Sequence, residues 1–137
     1  MLHALGPDLS DVLLDIAAPP AAHAELIRLG LCARVGAILC QKPFCGELAA
    51  AEAVTQEAAQ AGIRLIVHEN FRFQPWYRTL RAALDRGESG EVHNLAFRLR
   101  PGDGQGPDAY LSRQPYFQAM PRFLIHETGI HWIDTFR

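Results

Sequence analysis

The sequence predicts an α/β fold built on a parallel sheet. Three short apolar runs, DVLLDIAA (11–18), VGAILC (35–40) and IRLIVHE (63–69), have the length of strands buried on both faces. Segments with helical composition or spacing separate them, and another follows the third. This alternation is the pattern of a parallel sheet covered by helices. The right-handed crossover rule makes it the second half of a doubly wound sheet.

The first run closes at Pro19-Pro20, and the two prolines suit the start of a helix through AAHAELIRLGL (21–31). The second run is stopped by Pro43. Residues 46–61, GELAAAEAVTQEAAQA, are rich in alanine, the strongest helix former, and Gly62 supplies a C-terminal cap. After the third run, Pro75 opens a helix through WYRTLRAALDRG, ending at Gly87. EVHNLAFRLR (91–100) alternates imperfectly and predicts a half-exposed fourth strand. Residues 101–122 show no period and predict a long loop. The last segment, FLIHETGIHWIDTFR (123–137), has the spacing of a helix. The change of strand type near residue 91 predicts a boundary, with residues 1–90 in one domain and 91–137 beginning a second, α+β domain. Both ends of the sequence read as cut through larger elements.

Composition narrows the function classes. The 137 residues are 49% hydrophobic and 20% charged, ordinary for a globular domain with a real core. Thirteen Lys and Arg stand against fifteen Asp and Glu, a net charge of −2. That balance recommends neither nucleic acid nor an anionic membrane as partner. No apolar run reaches the roughly 18 residues of a membrane span, and the N-terminus lacks the pattern of a signal peptide. Three cysteines, with no CxxC pair, disfavour a disulfide scaffold and a structural zinc site. The expectation is a cytoplasmic protein.

Two residues suit acid–base chemistry on a hydroxyl. Lys42 follows a predicted parallel strand, at the end where such sheets bind ligands. Its ammonium can favour a developing alkoxide, although a lysine there also reads as a solvated strand end. His131 supplies an imidazole, the side-chain type suited to accepting a hydroxyl proton at physiological pH. Glu127 and Asp134 lie four residues before it and three after it, which on an α-helix puts a carboxylate near the ring. A surface or core histidine is the alternative. His126 and His131 are five apart, one more than HExxH requires, which argues against zinc. Asn70 and Arg72 lie between the third strand and the next helix, at the same sheet edge as Lys42; Asn70 also reads as a turn residue. Phe71, Phe73, Trp76 and Tyr77 read as core and interdomain packing. Arg98, Arg100, Tyr110, Arg113 and Tyr116 read as a solvated loop, with a carboxylate-bearing substrate as the alternative.

Four motifs occur in order: AAPPAAH (17–23), ILCQKPF (38–44), VHENFRFQP (67–75) with GESGEV (87–92), and HETGIHWID (126–134). Together they resemble the glucose-fructose oxidoreductase and inositol dehydrogenase family, Gfo/Idh/MocA, over roughly residues 11–137. The resemblance implies a Rossmann-type dinucleotide-binding domain running into an α+β domain for substrate and oligomerisation. It implies oxidation or reduction of a sugar, cyclitol or related compound with NAD or NADP. It makes Lys42, His131 and Glu127 catalytic, and Pro19, Pro20, His23, Gln41, Lys42, Asn70 and Arg72 cofactor-binding. Two positions depart from the family pattern: Gln41 stands where the family has Glu before Lys-Pro, and Glu127 where it has Asp. The family's GxGxxG is absent, and Gly102, Gly104 and Gly106 follow a strand without opening a helix, so they read as a turn. The chain therefore reads as a central fragment, inactive alone, with a sugar-like substrate and a homo-oligomer as possible partners. A catalytically silent piece self-associating through an open sheet edge is the alternative.

Overall fold

The computed structural model describes residues 6, 8–98, 106–112 and 114–137. By its internal contacts the chain divides into two compact units, Met1–Glu69 and Asn70–Arg137.

The first unit is a three-stranded parallel sheet in the order β1 (Leu13–Ile16), β2 (Ala37–Gln41), β3 (Arg64–His68). Helices α1 (Pro20–Cys32) and α2 (Leu48–Ala61) make the two crossovers. All five elements were legible in the sequence. Pro20 opens α1 in the first turn, where a missing N–H costs nothing. Gly62 ends α2 at φ 70°, and the Ile63 N–H bonds back to the Ala58 carbonyl at 3.1 Å, closing a Schellman cap.

Register decides what the strands bury. Leu14, Ile38 and Leu65 lie side by side, as do Ile16, Cys40 and Val67. Period-two alternation puts these on one face, and α1 and α2 pack on each other and on the sheet. His23, Ile27 and Gly30, spaced four and three, form the buried stripe of α1; Val54 and Ala58 form that of α2. Ile16, Ile27, Val35, Ile38, Cys40 and Val54 make the centre of the core. The expectation of strands buried on both faces is corrected here. Leu13 is 56% and Ile66 40% exposed on the face away from both described crossover helices, and Val67, on the covered face near the end of β3, is 42% exposed.

The second unit opens with a 3₁₀ turn (Phe71–Phe73) and α3 (Pro75–Asp85), which ends at Arg86 and a left-handed Gly87 as expected. Residues 92–98 are exposed and form no strand; the rest of the expected fourth strand, 99–100, lies outside the described residues. Without a neighbour to complete the backbone hydrogen bonds, alternation alone does not make a strand. The loop contains a 3₁₀ segment, Pro115–Ala119. Arg100, Gly102, Gly104 and Arg113 fall outside the described residues. The single terminal helix becomes two kinds of helix, a π-helical stretch Leu124–Gly129 continuing into α4 (Ile130–Phe136). Gly129 permits the wide turn: a Cβ there would sit 3.1 Å from the Leu124 carbonyl oxygen.

An aromatic cluster centres on Trp132, which stacks on Phe97 at 3.6 Å and meets Phe71 at 5.1 Å and Tyr77 at 6.3 Å. Phe73 and Trp76 are each 62% exposed, so of the expected core and interdomain packing they supply no core. Among the described residues no helix is long and apolar enough to cross a membrane.

Candidate active site

The C-terminal ends of parallel strands carry backbone and side chains out of the sheet toward any ligand bound there. In the first unit that edge is formed by Ala18 after β1, Gln41 and Lys42 at β2, and His68 at β3. Gln41 and His68 are register partners. The Gln41 side-chain amide donates to His68 Nδ1, which fixes the amide's direction and leaves its oxygen as a further acceptor. His68 was missed by sequence reasoning. Its signal was only a register, two chain-distant residues made adjacent by parallel pairing.

Lys42 stands in the turn after β2, joined to Pro43 by a cis peptide bond. The turn is tied back to the protein by His23. That ring is fully buried, and its nitrogens face three backbone carbonyls: Nε2 faces Ala18 at 2.8 Å, and Nδ1 faces Pro43 at 3.1 Å and Phe44 at 3.0 Å. Of the AAPPAAH segment, Pro19 and Pro20 begin α1, while His23 holds the Lys42 turn from inside. Burial pushes the Cys40 thiol up to about 12 and also raises that of Cys45, so both cysteines are neutral at physiological pH.

In the second unit, Asn70, Phe71 and Arg72 form the turn and His131 and Asp134 lie on α4. Phe71 stacks on the His131 ring with centroids 3.8 Å apart and planes 15° from parallel. The Arg72 Nε donates to Asp134 Oδ2 at 2.6 Å, and its Nη2 donates to Oδ1. This two-pronged pair and the stack fasten the turn to the helix at two points. His131 is buried, with about one-tenth of its surface exposed. The Asp134 carboxylate, one of the two expected near the imidazole, receives the Arg72 fork. Glu127 lies in the π-helical stretch, where the 3.6-residue period behind its predicted placement does not apply. Among the described residues no group of three His, Cys, Asp or Glu side chains is arranged to hold a metal ion.

The comparisons with known proteins agree with this architecture. No protein-family profile matches the chain. It is 38% identical over 124 residues to D-apiose dehydrogenase of Rhizobium rhizogenes, covering 90% of this chain and 34% of that protein. It is 34% identical over 86 residues to inositol 2-dehydrogenase of Rhizobium meliloti, covering 62% of this chain and 26% of that one. Among solved structures it superimposes on an oxidoreductase of Agrobacterium radiobacter, crystallised with NAD+, L-tartaric acid and magnesium, with a TM-score of 0.73 and 32% identity. That match covers 90% of this chain and 34% of the other. The chain thus spans about a third of the length of the curated relatives it matches. The chain shares the α/β fold class of these oxidoreductases. Over the stretch it spans, it belongs to the Gfo/Idh/MocA family.

Proposed function

We propose that this chain is the part of an NAD- or NADP-dependent oxidoreductase that carries its acid–base residues, acting on a sugar, cyclitol or related hydroxyl compound. The observation that carries the reading is the 38% identity to a D-apiose dehydrogenase over 90% of the chain, joined to a Lys-Pro turn at the carboxyl end of a parallel strand. Residues 1–90 are read as the later part of the dinucleotide-binding domain, with α3 assigned to it, and 91–137 as the start of the substrate domain.

The residues fit one part of a nicotinamide dinucleotide and not another. Gln41 and Lys42, at the end of β2, offer an amide and an ammonium suited to ribose and carboxamide oxygens. A pyrophosphate cradle is another matter. No GxGxxG occurs among the 137 residues, and α1 opens on Pro19-Pro20, which removes N–H groups from the helix end a phosphate would use. The cofactor, when bound, supplies the hydride acceptor. By the family resemblance, the role of Lys42 is to favour a substrate alkoxide and that of His131 is to accept a hydroxyl proton. Phe71 holds the His131 ring in orientation. Arg72 and Asp134 set the distance between the Asn70 turn and α4.

Activity tests the reading. The protein is incubated with NAD+ or NADP+ and a panel of aldoses and cyclitols, and formation of reduced nicotinamide is followed. General acid–base groups contribute about 10²–10⁴-fold, so Lys42→Met and His131→Ala should each depress turnover by about 10²-fold or more. Unchanged turnover in both variants rejects the roles. A second reading rests on the strand order, which leaves β1 and β3 as the sheet's edges: a silent piece that self-associates through an edge strand. No turnover, no thermal shift with either nucleotide and a dimeric mass in solution together favour it.

A further inference from the structure

We infer that His23 is a doubly protonated, two-sided donor that clasps the Lys42 turn to the end of β1, and so positions Lys42 without touching substrate. A carbonyl oxygen only accepts hydrogen bonds. A neutral imidazole has a single N–H, and its other nitrogen presents a lone pair. Here Nε2 faces the Ala18 oxygen at 2.8 Å, while Nδ1 faces the Pro43 and Phe44 oxygens at 3.1 and 3.0 Å. Either neutral tautomer sets a lone pair against a carbonyl oxygen inside the core. Only the imidazolium satisfies both sides.

Burial opposes that charge. Three carbonyl dipoles pointing at the ring oppose the burial, and hydrogen bonds to a charged donor are stronger than neutral ones. The ionisable groups on the segments around the ring are Asp15 on β1, Glu25, Arg28 and Cys32 on α1, Cys40 on β2, and Lys42 and Cys45 in the turn. The Cys40 and Cys45 thiols are neutral, and Arg28 is committed to Glu57 at 2.8 Å. Asp15 and Glu25 are exposed, and the groups that the ring nitrogens face are the three carbonyls.

The placement is specific. His23 stands on the buried stripe of α1 beside Ile27, where an apolar residue would fill the space. The histidine instead ties three segments: the exit of β1, the first turn of α1 and the turn beyond β2. The clasp stands on its own geometry; only its task, holding Lys42, rests on the proposed function.

A long-range proton–nitrogen correlation spectrum of the nitrogen-15-labelled chain at pH 7 tests it. The six histidines are told apart by the signal lost in His23→Gln. Both His23 ring nitrogens should carry slowly exchanging protons. In His23→Gln, which has a donor for one side only, the Lys42 and Phe44 amide signals should move while those of the Gly62 cap stay. A single protonated ring nitrogen at pH 7 overturns the clasp. An unmoved Lys42 amide in a folded variant overturns the positioning role. Should the variant not fold, His23 is assigned through its own side-chain couplings and the proton count in the natural chain decides alone. Neither readout needs nucleotide or substrate, so loss of the proposed activity leaves this result standing, and the reverse.

Discussion

Phe71 lies flat against His131, with ring centroids 3.8 Å apart. An imidazole packed this way has its face held and its plane fixed. A fixed plane is one of the constraints a proton acceptor needs. It also explains why an aromatic residue sits directly beside Asn70 in the turn.

Replacing Phe71 by leucine keeps the apolar volume and removes the ring face. Aromatic pairs are worth about 0.5–1.5 kcal/mol beyond their buried area, so the variant should lose about 1 kcal/mol of stability. The His131 ring protons should move downfield as the shielding of the neighbouring ring disappears. Unchanged His131 proton signals in a folded variant would contradict the stack.

The Arg72–Asp134 pair tests geometry against charge. Lysine keeps the charge at residue 72 but cannot reproduce a planar two-pronged fork. The Asp134 side chain is 18% exposed and the Arg72 side chain 39%, so the pair lies between the surface and buried cases. Arg72→Lys should cost about 1–2 kcal/mol of stability, read from a denaturant midpoint. Asp134→Asn should cost a similar amount. The double variant should cost less than the two singles added, because both act on the same contact.

The limits of sequence reading follow from where each signal resides. The strands and helices of the first unit were legible because local rules specify them: Pro20 at a helix start, Gly62 at a helix end, and apolar runs of strand length between. The second unit was less legible. Residues 92–98 alternate, yet a strand needs a partner that sequence alternation does not supply. The π-helical stretch at 124–129 is a departure from the 3.6-residue period on which the placement of Glu127 depended. In the candidate site, Lys42 and His131 were visible as residue types in motifs. The contacts His23–Phe44, Gln41–His68 and Arg72–Asp134 were not, since each joins residues 20 or more positions apart. Asp134 was legible as a carboxylate near His131, but its pairing with Arg72 was not, because helix spacing sees only neighbours on one helix.

The cysteines should separate by reactivity. Cys32 is exposed, Cys40 buried and Cys45 between them. A thiol reagent attacks the thiolate, and burial holds the Cys40 thiol up at about 12. At pH 8 Cys32 should label first and Cys40 only at the rate of unfolding, as read by mass spectrometry of peptides. The same displacement has a stability consequence. The folded value lies above the ordinary thiol value, so its contribution is complete below the ordinary value and is lost as pH rises from there toward 12. Cys40→Ala should therefore flatten the fall of stability in strong alkali. Equal labelling of Cys32 and Cys40 in the folded protein would refute the burial.

Gly36 is the position where backbone packing leaves no room for a side chain. Its N–H bonds to the carbonyls of Leu9 and Val12, each at 3.0 Å, as the chain enters β2. A Cβ built there would lie 1.9 Å from the Ser10 carbonyl oxygen. That atom is main chain and cannot rotate aside, so Gly36→Ala must move either the 9–12 segment or the start of β2. The first choice gives up both hydrogen bonds; the second disturbs the Leu13–Ala37 register beside it. Gly30 offers the control. A Cβ there would meet the Leu14 Cδ2 at 2.8 Å and the Ile38 Cδ1 at 3.0 Å, which are side-chain ends able to turn. Overpacking of that kind costs about 1–3 kcal/mol, occasionally more. Gly36→Ala should therefore cost at least about 3 kcal/mol and Gly30→Ala less, a difference read as separate urea midpoints at equal slope. Gly36→Ala at or above the stability of Gly30→Ala would mean that the 9–12 segment is not seated against β2.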